Sequence, residues 1–165
     1  MKRQVLCWLA LAIAAAVGAE AQAGAADQPS MHHQVAPDEL EWAPGPPVLP
    51  PGVKLAVLMG DPGKEGFFRL RAWMPAGYRI MPHWHPTTES FTVLQGAVFL
   101  GMGDTFDKTA ASVIPTHGFV ALPPLSTHWV FTEEETVIDL AAYGPFQIVY
   151  VNPEDDPSKQ PVETP

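Results

Sequence analysis

Short apolar stretches with alternating polarity recur along the chain, and turn residues separate them. The clearest is 66–74, where Phe68, Leu70 and Ala72 alternate with Arg69 and Arg71. Because successive side chains of a strand point to opposite faces, this segment predicts a strand with one apolar face and one arginine-bearing face. The complete set of predicted strands is 53–59, 66–74, 89–94, 97–102, 118–122, 127–131, 136–142 and 146–151.

Eight short strands at fairly even spacing, without a long segment of helical period, indicate an all-β sandwich or barrel. The predicted domain covers residues 53–151, and its longest connection, residues 103–114, could hold a helical turn. A proline-rich arm, residues 24–52, precedes the domain. Proline fixes the backbone and removes a donor, so we expect the arm to be extended or irregular and to pack on the domain or on a neighbouring subunit. Residues 152–165 predict an acidic, solvated tail.

The first 23 residues have the pattern of a secretory signal peptide. Lys2 and Arg3 precede an apolar run over residues 5–17, and small residues around Ala21 and Ala23 provide two cleavage candidates. A membrane anchor is the alternative, but the run of about 13 residues is shorter than the roughly 20 that span a bilayer. We therefore expect a periplasmic or secreted protein.

Charge and cysteine content narrow the possible functions. The 165-residue chain has a formal net charge of −9, and loss of the leader would make it slightly more acidic. Such a chain repels phosphate backbones and anionic lipids, so we expect neither a nucleic-acid partner nor, after the leader is removed, a membrane partner. The only cysteine, Cys7, lies in the leader. The mature protein is thus predicted to have no disulfide and no thiolate metal site.

Residues 77–96 carry the side chains that point to chemistry. His83 and His85 are separated by one residue, so an extended strand projects both in the same direction. Glu89 keeps the same odd-number parity and can converge on the same point. Imidazole and carboxylate ligands suit a divalent transition metal such as iron, manganese, nickel, copper or zinc. The segment therefore predicts a metal site.

The spacing of Gly77, His83, His85, Glu89 and Gly96 resembles the first signature of the cupin superfamily at every fixed position. The resemblance implies an all-β fold, the double-stranded β-helix or jelly-roll barrel, over residues 53–151.

Residues 118–128 are similar to the second cupin signature, which supplies a further histidine, here His128. The gap from Gly118 to Pro123 is one residue shorter than in that signature, and two positions depart from it, with Leu125 at the family's glycine and Thr132 at its asparagine. The resemblance implies a divalent transition metal held by the ligands His83, His85, Glu89 and His128.

A ligating imidazole usually donates its second N–H to another group. The side chains near enough in sequence to accept it are Tyr78, Thr87, Thr88 and Gln95. Side chains of the same parity predict an apolar cavity around the ion: Phe91, Val93 and Val130.

Two further residues are candidates for a catalytic role. Tyr78 could act as an acid or base. Arg71 could grip an anionic substrate at the barrel mouth, although solvation on the outer face is the simpler expectation for this arginine.

The function that these patterns favour is metal-dependent catalysis on a small molecule, with a dioxygenase as the first hypothesis. A non-redox isomerase, lyase or decarboxylase is the second, and a non-catalytic binding module for a metal or small molecule is the third. A homodimer is also expected, since the arm could pack against a partner subunit.

Overall fold

A computed structural model describes residues 32–160. Its strands form two antiparallel sheets of six and five strands that pack face to face. This arrangement confirms the predicted all-β jelly roll. Within the described range no helix is long and apolar enough to cross a membrane. The predicted signal peptide and the last five residues of the predicted tail lie outside the described residues.

The first sheet has the strand order β1-β2-β3-β10-β5-β8. Its bounds are Ala43–Pro44 (β1), Lys54–Met59 (β2), Gly66–Met74 (β3), Thr136–Gly144 (β10), Glu89–Gln95 (β5) and Phe119–Leu122 (β8). The second sheet has the order β11-β4-β9-β6-β7. Its bounds are Val149–Tyr150 (β11), Arg79–Trp84 (β4), His128–Phe131 (β9), Ala97–Met102 (β6) and Ser112–Pro115 (β7). Single turns of 3₁₀ helix cover Pro37–Glu39, Lys108–Ala110, Pro153–Asp155 and Pro157–Lys159.

All eight predicted strands correspond to observed ones, and the helical turn expected in the long connection is Lys108–Ala110. The last predicted strand, 146–151, is shortened to Val149–Tyr150. Two strands of the second sheet were missing from the predicted set. Arg79–Trp84 contains Pro82 and Ser112–Pro115 ends in a proline, and proline obscures a strand pattern because it removes a ladder donor.

The core lies between the two sheets. On β3 the side chains of Phe68, Leu70 and Ala72 are buried, whereas Arg69 is exposed, as the alternation predicted. The second sheet contributes Val98 and Leu100 from β6. Between the sheets the side chains leave a cavity of about 190 Å³. This cavity, rather than a fully packed interior, is where the candidate chemistry is found.

The proline-rich arm packs on its own barrel. The Nε2 atom of His33 contacts the carbonyl oxygen of Leu58 on β2, and further contacts follow from residue 43 onward. Ala43 and Pro44 pair with β2, and the N–H of Gly45 donates to the carbonyl of Val53 at 3.0 Å. Leu49 packs against the hydrophobic core. Of the two predicted packing partners for the arm, the domain itself is the one observed.

Candidate metal centre

The sheet pairing brings the three candidate histidines together. His83 on β4 lies directly opposite His128 on β9, and their ring centroids are 4.3 Å apart. His85 follows β4 and projects to the same side as His83, as its spacing predicted. One ring nitrogen from each of the three histidines lies within 4.8 Å of those of the other two, and all three side chains are buried.

Backbone carbonyls orient all three imidazoles. The Nδ1 atom of His83 lies 2.7 Å from the carbonyl oxygen of Met81, that of His85 lies 2.8 Å from Gln147, and that of His128 lies 2.9 Å from Ser126. A carbonyl only accepts hydrogen bonds, so each Nδ1 carries the proton and donates it. Each Nε2 is then left with a free lone pair, which is the tautomer that a metal ligand requires.

Glu89, the first residue of β5, brings a carboxylate from the opposite sheet. Its Oε2 atom lies 3.2 Å from Nε2 of His85 and 3.4 Å from Nε2 of His128. The three-histidine group that satisfies the mutual 4.8 Å distance does not include Glu89. The carboxylate therefore stands beside two of the histidines.

Burial and the neighbouring groups shift the pKa values of Glu89, His85 and His83. Burial disfavours the charged form of Glu89, but the adjacent imidazoles of His128 and His85 outweigh it, and the pKa of Glu89 is lowered. Burial also disfavours protonation of His85, yet the neighbouring Glu89 outweighs it and raises the pKa of His85. At His83, burial and the two neighbouring histidines lower the pKa to about 3. His83 is thus held neutral and ready to donate its lone pair.

The residues fit a divalent transition metal. Nε2 of His85 is buried and has no well-aligned hydrogen-bond partner among the described residues. A buried polar atom left in that state costs free energy, and a bound cation would remove the cost. Three imidazole nitrogens and a carboxylate oxygen, with no sulfur, are the ligands that iron, manganese, nickel, copper and zinc accept.

Two glycines of the 77–96 segment occupy backbone conformations that favour glycine. Gly77 has φ +76° and Gly96 has φ +71°. A Cβ atom at Gly96 would also lie 2.5 Å from the carbonyl oxygen of Glu135. These glycines form the turns before β4 and after β5, the strands that carry His83 and Glu89.

The two departures near His128 are accommodated locally. Leu125 adopts φ +65°, the left-handed conformation in which a glycine would be unstrained, and its N–H donates to the carbonyl of His85 at 2.8 Å. Thr132 is buried, and its hydroxyl donates to the carbonyl of Pro75 at 2.7 Å. Both residues therefore keep the loops around the histidines in place.

The histidines and Glu89 lie on the wall of the 190 Å³ cavity, and the rest of the lining is almost entirely apolar. Of the lining residues that sequence parity predicted, Phe91 and Val130 are present. Val93 is fully buried in the core and does not line the cavity, so that part of the prediction was wrong.

Two aromatic contacts to the histidines were not predicted. Phe146 stacks on His85 with ring centroids 4.4 Å apart and an interplanar angle of 17°, and Phe146 also lines the cavity. Tyr150 pairs with His83 across the β4–β11 ladder. The Gly-Pro turn before Phe146 is visible in the sequence. The contact of Phe146 with His85 is not, because the two residues are 61 positions apart in the chain.

Tyr78 lines the same cavity, but its hydroxyl is already engaged. It donates to the carbonyl oxygen of Pro50 at 3.0 Å. Burial, and to a smaller extent the neighbouring Tyr150, raise the pKa of Tyr78. A raised pKa means that the hydroxyl gives up its proton less readily, and that proton is already donated to Pro50. The acid or base role of Tyr78 stays a prediction.

Arg71 lies on the opposite face of β3 from the cavity. With Arg69 and Asp139 it lines a separate outer groove, and its Nε atom is 3.9 Å from Oδ2 of Asp139. Arg71 therefore does not line the metal cavity, because alternation along the strand turns this side chain outward. Its role in gripping an anionic substrate at the barrel mouth stays a prediction.

The side chains predicted to accept the second imidazole N–H do not do so. The hydroxyl of Thr87 donates to the carbonyl of Tyr143, and the Gln95 amide contacts Glu135. Thr88 makes no such bond within residues 32–160, and Tyr78 bonds Pro50 instead. Main-chain carbonyls take this role at all three histidines.

Comparison with known proteins supports the fold. No protein-family model matches the chain, and no curated protein matches it in sequence. Several solved structures, however, match the chain in fold. An RmlC-like cupin from Shewanella frigidimarina is 12% identical, with 68% of this chain and 90% of that one covered and a TM-score of 0.54.

Two further solved structures, both of proteins named as enzymes, have higher TM-scores. The polyketide cyclase RemF from Streptomyces resistomycificus is 17% identical over 78% of this chain and 91% of its own, with a TM-score of 0.61. A protein proposed to be an acetylacetone dioxygenase, from Methylibium petroleiphilum, is 17% identical over 75% and 83%, with a TM-score of 0.59. The chain has the fold of the cupin superfamily, with three histidines placed to bind a metal ion.

Proposed function

We propose that this protein is a metal-dependent enzyme that acts on a small, largely apolar molecule, with dioxygenase chemistry as the leading reaction. The observation that carries the proposal is the convergence of three buried, carbonyl-oriented histidines on the wall of an apolar cavity. Glu89 is the proposed fourth ligand, because its carboxylate already contacts His85 and His128.

The chain's own residues supply most of what such a site needs. His83, His85 and His128 would hold the ion, and Glu89 would offset part of its charge. A bound redox-active ion would supply Lewis acidity and electron transfer. Phe146 stacks on His85 and helps to fix its plane, and the lining around the site is almost entirely apolar.

The cavity also limits the substrate. Its lining contains no arginine or lysine in the described part of the chain, so neither of these side chains is available there to bind an anion. Among residues 32–160, the polar side chains on its wall are Tyr78, the three histidines and Glu89. We infer that the substrate is compact and apolar, with any oxygen-bearing group directed at the histidines.

A non-redox reaction is the second candidate, as in an isomerase, lyase or decarboxylase. It is favoured by the same ligand set, since imidazole and carboxylate also bind zinc, which polarises carbonyl groups without redox change. A cyclase and a proposed dioxygenase share this fold, and fold does not fix the reaction.

Oxygen uptake separates these candidates. The protein loaded with iron(II), manganese(II), nickel(II) or copper(II) would be screened with small apolar carbonyl and phenolic compounds in an oxygen electrode. A dioxygenase consumes oxygen with substrate, and His128→Ala abolishes the uptake. Substrate turnover without oxygen uptake would favour the non-redox candidate. Metal binding without turnover of any compound would favour a binding module.

We also propose that the protein is exported to the periplasm or medium, because its first 23 residues have the composition of a cleaved leader. Intact-mass measurement after expression in a bacterium checks this. The expected mature chain begins at Gln22 or Gly24, and an uncleaved chain retained in the cytoplasm would contradict it.

We further propose a homodimer. Since the arm packs on its own barrel, the exposed apolar side chains of Phe67, Phe119 and Tyr143 are the better contact candidates. Light scattering of the purified protein tests this, and a monomer at all concentrations would refute it.

A further inference from the structure

Part of the proline-rich arm forms a wall of the cavity. We call residues 46–51 the cap. Pro46, Val48 and Leu49 line the same cavity as the three histidines. The cap is closed on itself by two backbone hydrogen bonds, from Gly45 to Val53 at 3.0 Å and from Leu49 to Pro46 at 2.9 Å. A segment outside the predicted barrel therefore helps to define the site.

Two buried tyrosines fasten the cap to the second sheet. The hydroxyl of Tyr150 donates to the carbonyl of Val48 at 2.9 Å, and that of Tyr78 donates to the carbonyl of Pro50 at 3.0 Å. Tyr150 is also the strand neighbour of His83. The position of the cap is thus fixed relative to a strand that carries a candidate ligand.

The cap is also stiff. Four of its six residues are proline, which locks the φ angle and removes most alternative backbone conformations. A wall of this composition yields little to a ligand that is too large. Because this wall is rigid, the dimensions of the cavity limit the size of the ligand that it can hold.

The cavity volume sets that limit. An engineered cavity of about 150 Å³ lined by aliphatic and aromatic residues accommodates benzene. At about 190 Å³, the cavity in this protein holds one six-membered ring with a small substituent. We expect two fused rings to exceed this space unless a wall moves.

We propose that the cap is the specificity-determining wall of the metal cavity, and that Leu49 sets a size limit of about one substituted six-membered ring for its ligands. The expectation that the polar end of the ligand faces a bound metal rests on the proposed function. The size limit itself depends only on the cavity and the cap.

Binding of two probes tests the size limit. Phenol has one ring and 2-naphthol has two, and isothermal titration calorimetry measures each against the full chain. We expect the wild-type protein to bind phenol and to bind 2-naphthol at least about tenfold more weakly, the scale on which an apolar pocket discriminates by size. Leu49→Ala should tighten 2-naphthol by about tenfold or more relative to phenol.

A second substitution acts in the opposite direction. Leu49→Phe fills the cavity and should weaken phenol by about tenfold. Val113→Ala is the matched control, because Val113 is 54% exposed on strand β7 and does not line the cavity. Its probe preference should equal that of the wild type. Circular dichroism confirms that each variant is folded, and either Leu49 variant alone is sufficient for the test.

Three outcomes would overturn the proposal: equal binding of both probes by the wild type, binding of neither, or a preference unchanged by a folded Leu49 variant. Metal content of the same samples separates this failure from failure of the proposed function. A preference that follows Leu49 in a protein that takes up no metal would leave the size limit intact and refute the metal enzyme. Metal uptake in a protein whose probe preference does not change with Leu49 would refute the size limit and leave the proposed metal enzyme intact.

Discussion

Two clusters in this molecule have the same plan and different environments. Inside the barrel, Glu89 lies between His85 and His128. On the outer face of the first sheet, Asp139 lies between Arg69 and Arg71. The two carboxylates are equally shielded, each with 10% of its side chain exposed.

The partners differ. The two histidines are 4% and 2% exposed, whereas Arg69 and Arg71 are 51% and 31% exposed. Arginine is always charged and has no lone pair to offer, so the outer cluster is an ion pair that solvent and salt weaken. The histidines are oriented by carbonyls and keep free nitrogens in an apolar cavity. Ligand chemistry and burial of the partners, rather than the presence of a carboxylate, distinguish a candidate site from a surface contact.

The largest expected contrast is the effect of metal on thermal stability. With an ion at 100 times its dissociation constant, the wild type should gain about 2.7 kcal/mol and several degrees in Tm. His128→Ala should lose this gain, because one of three converging nitrogens is removed. Arg71→Ala, the control from the outer cluster, should retain it. Differential scanning fluorimetry measures all three proteins, and a gain preserved in His128→Ala would place the metal elsewhere.

Acid should destabilise the metal-free protein through the inner cluster. The folded-state pKa of His83 is lowered from 6.5 to about 3, so below pH 6.5 the unfolded chain binds the proton that folded His83 refuses. The lowered pKa of Glu89 adds to this loss at lower pH. The raised pKa of His85 contributes stability as pH falls toward 6.5 and nothing further below it.

Denaturant unfolding between pH 6.5 and pH 4 should therefore show stability falling by up to about 1.4 kcal/mol per pH unit from His83 alone. His83→Gln should have a shallower slope. Stability that is constant over this range, or the same slope in both proteins, would show that His83 is not held neutral.

Neutralising the inner carboxylate should weaken metal binding without abolishing it. Glu89→Gln keeps the shape and one oxygen but removes the negative charge beside His85 and His128. We expect affinity to fall by about 10- to 100-fold, the range seen when groups that support a metal site are changed. Competition with a chromophoric chelator measures it. Unchanged affinity would remove Glu89 from the proposed ligand set.

The smallest effect is expected from the matching change outside. Asp139→Asn breaks the contacts to Arg69 and Arg71, and because both arginines are substantially exposed the cost should be about 1 kcal/mol. High salt should reduce the difference between variant and wild type. Metal affinity should not change, and a loss comparable to that of Glu89→Gln would mean that the two clusters are coupled.

The fold and the convergence of the candidate ligands were predictable because their signals are local or periodic. His83, His85 and Glu89 lie within seven residues of one another, and the alternation along β3 fixed which of its side chains face the core. His128 came from resemblance to a family signature. Its position opposite His83 is a product of the β4–β9 pairing.

What was missed depends on contacts between distant segments. The carbonyl that orients His85 belongs to Gln147, 62 residues later. Because every residue has a main-chain carbonyl, such a contact cannot be recognised from the residue type. The cap illustrates the same point. Proline content predicted a stiff arm, but only the tyrosine contacts at Val48 and Pro50 place it over the cavity.

Metal content of the purified protein tests the central claim most directly. Wild type, His85→Ala and Arg71→Ala would be prepared without chelator or histidine tag, and elemental mass spectrometry would be applied before and after reconstitution. We predict near-stoichiometric iron, manganese, nickel, copper or zinc in the wild type and Arg71→Ala, and its loss in His85→Ala. Absence of metal from the wild type even after reconstitution, or equal metal in His85→Ala, would contradict the account.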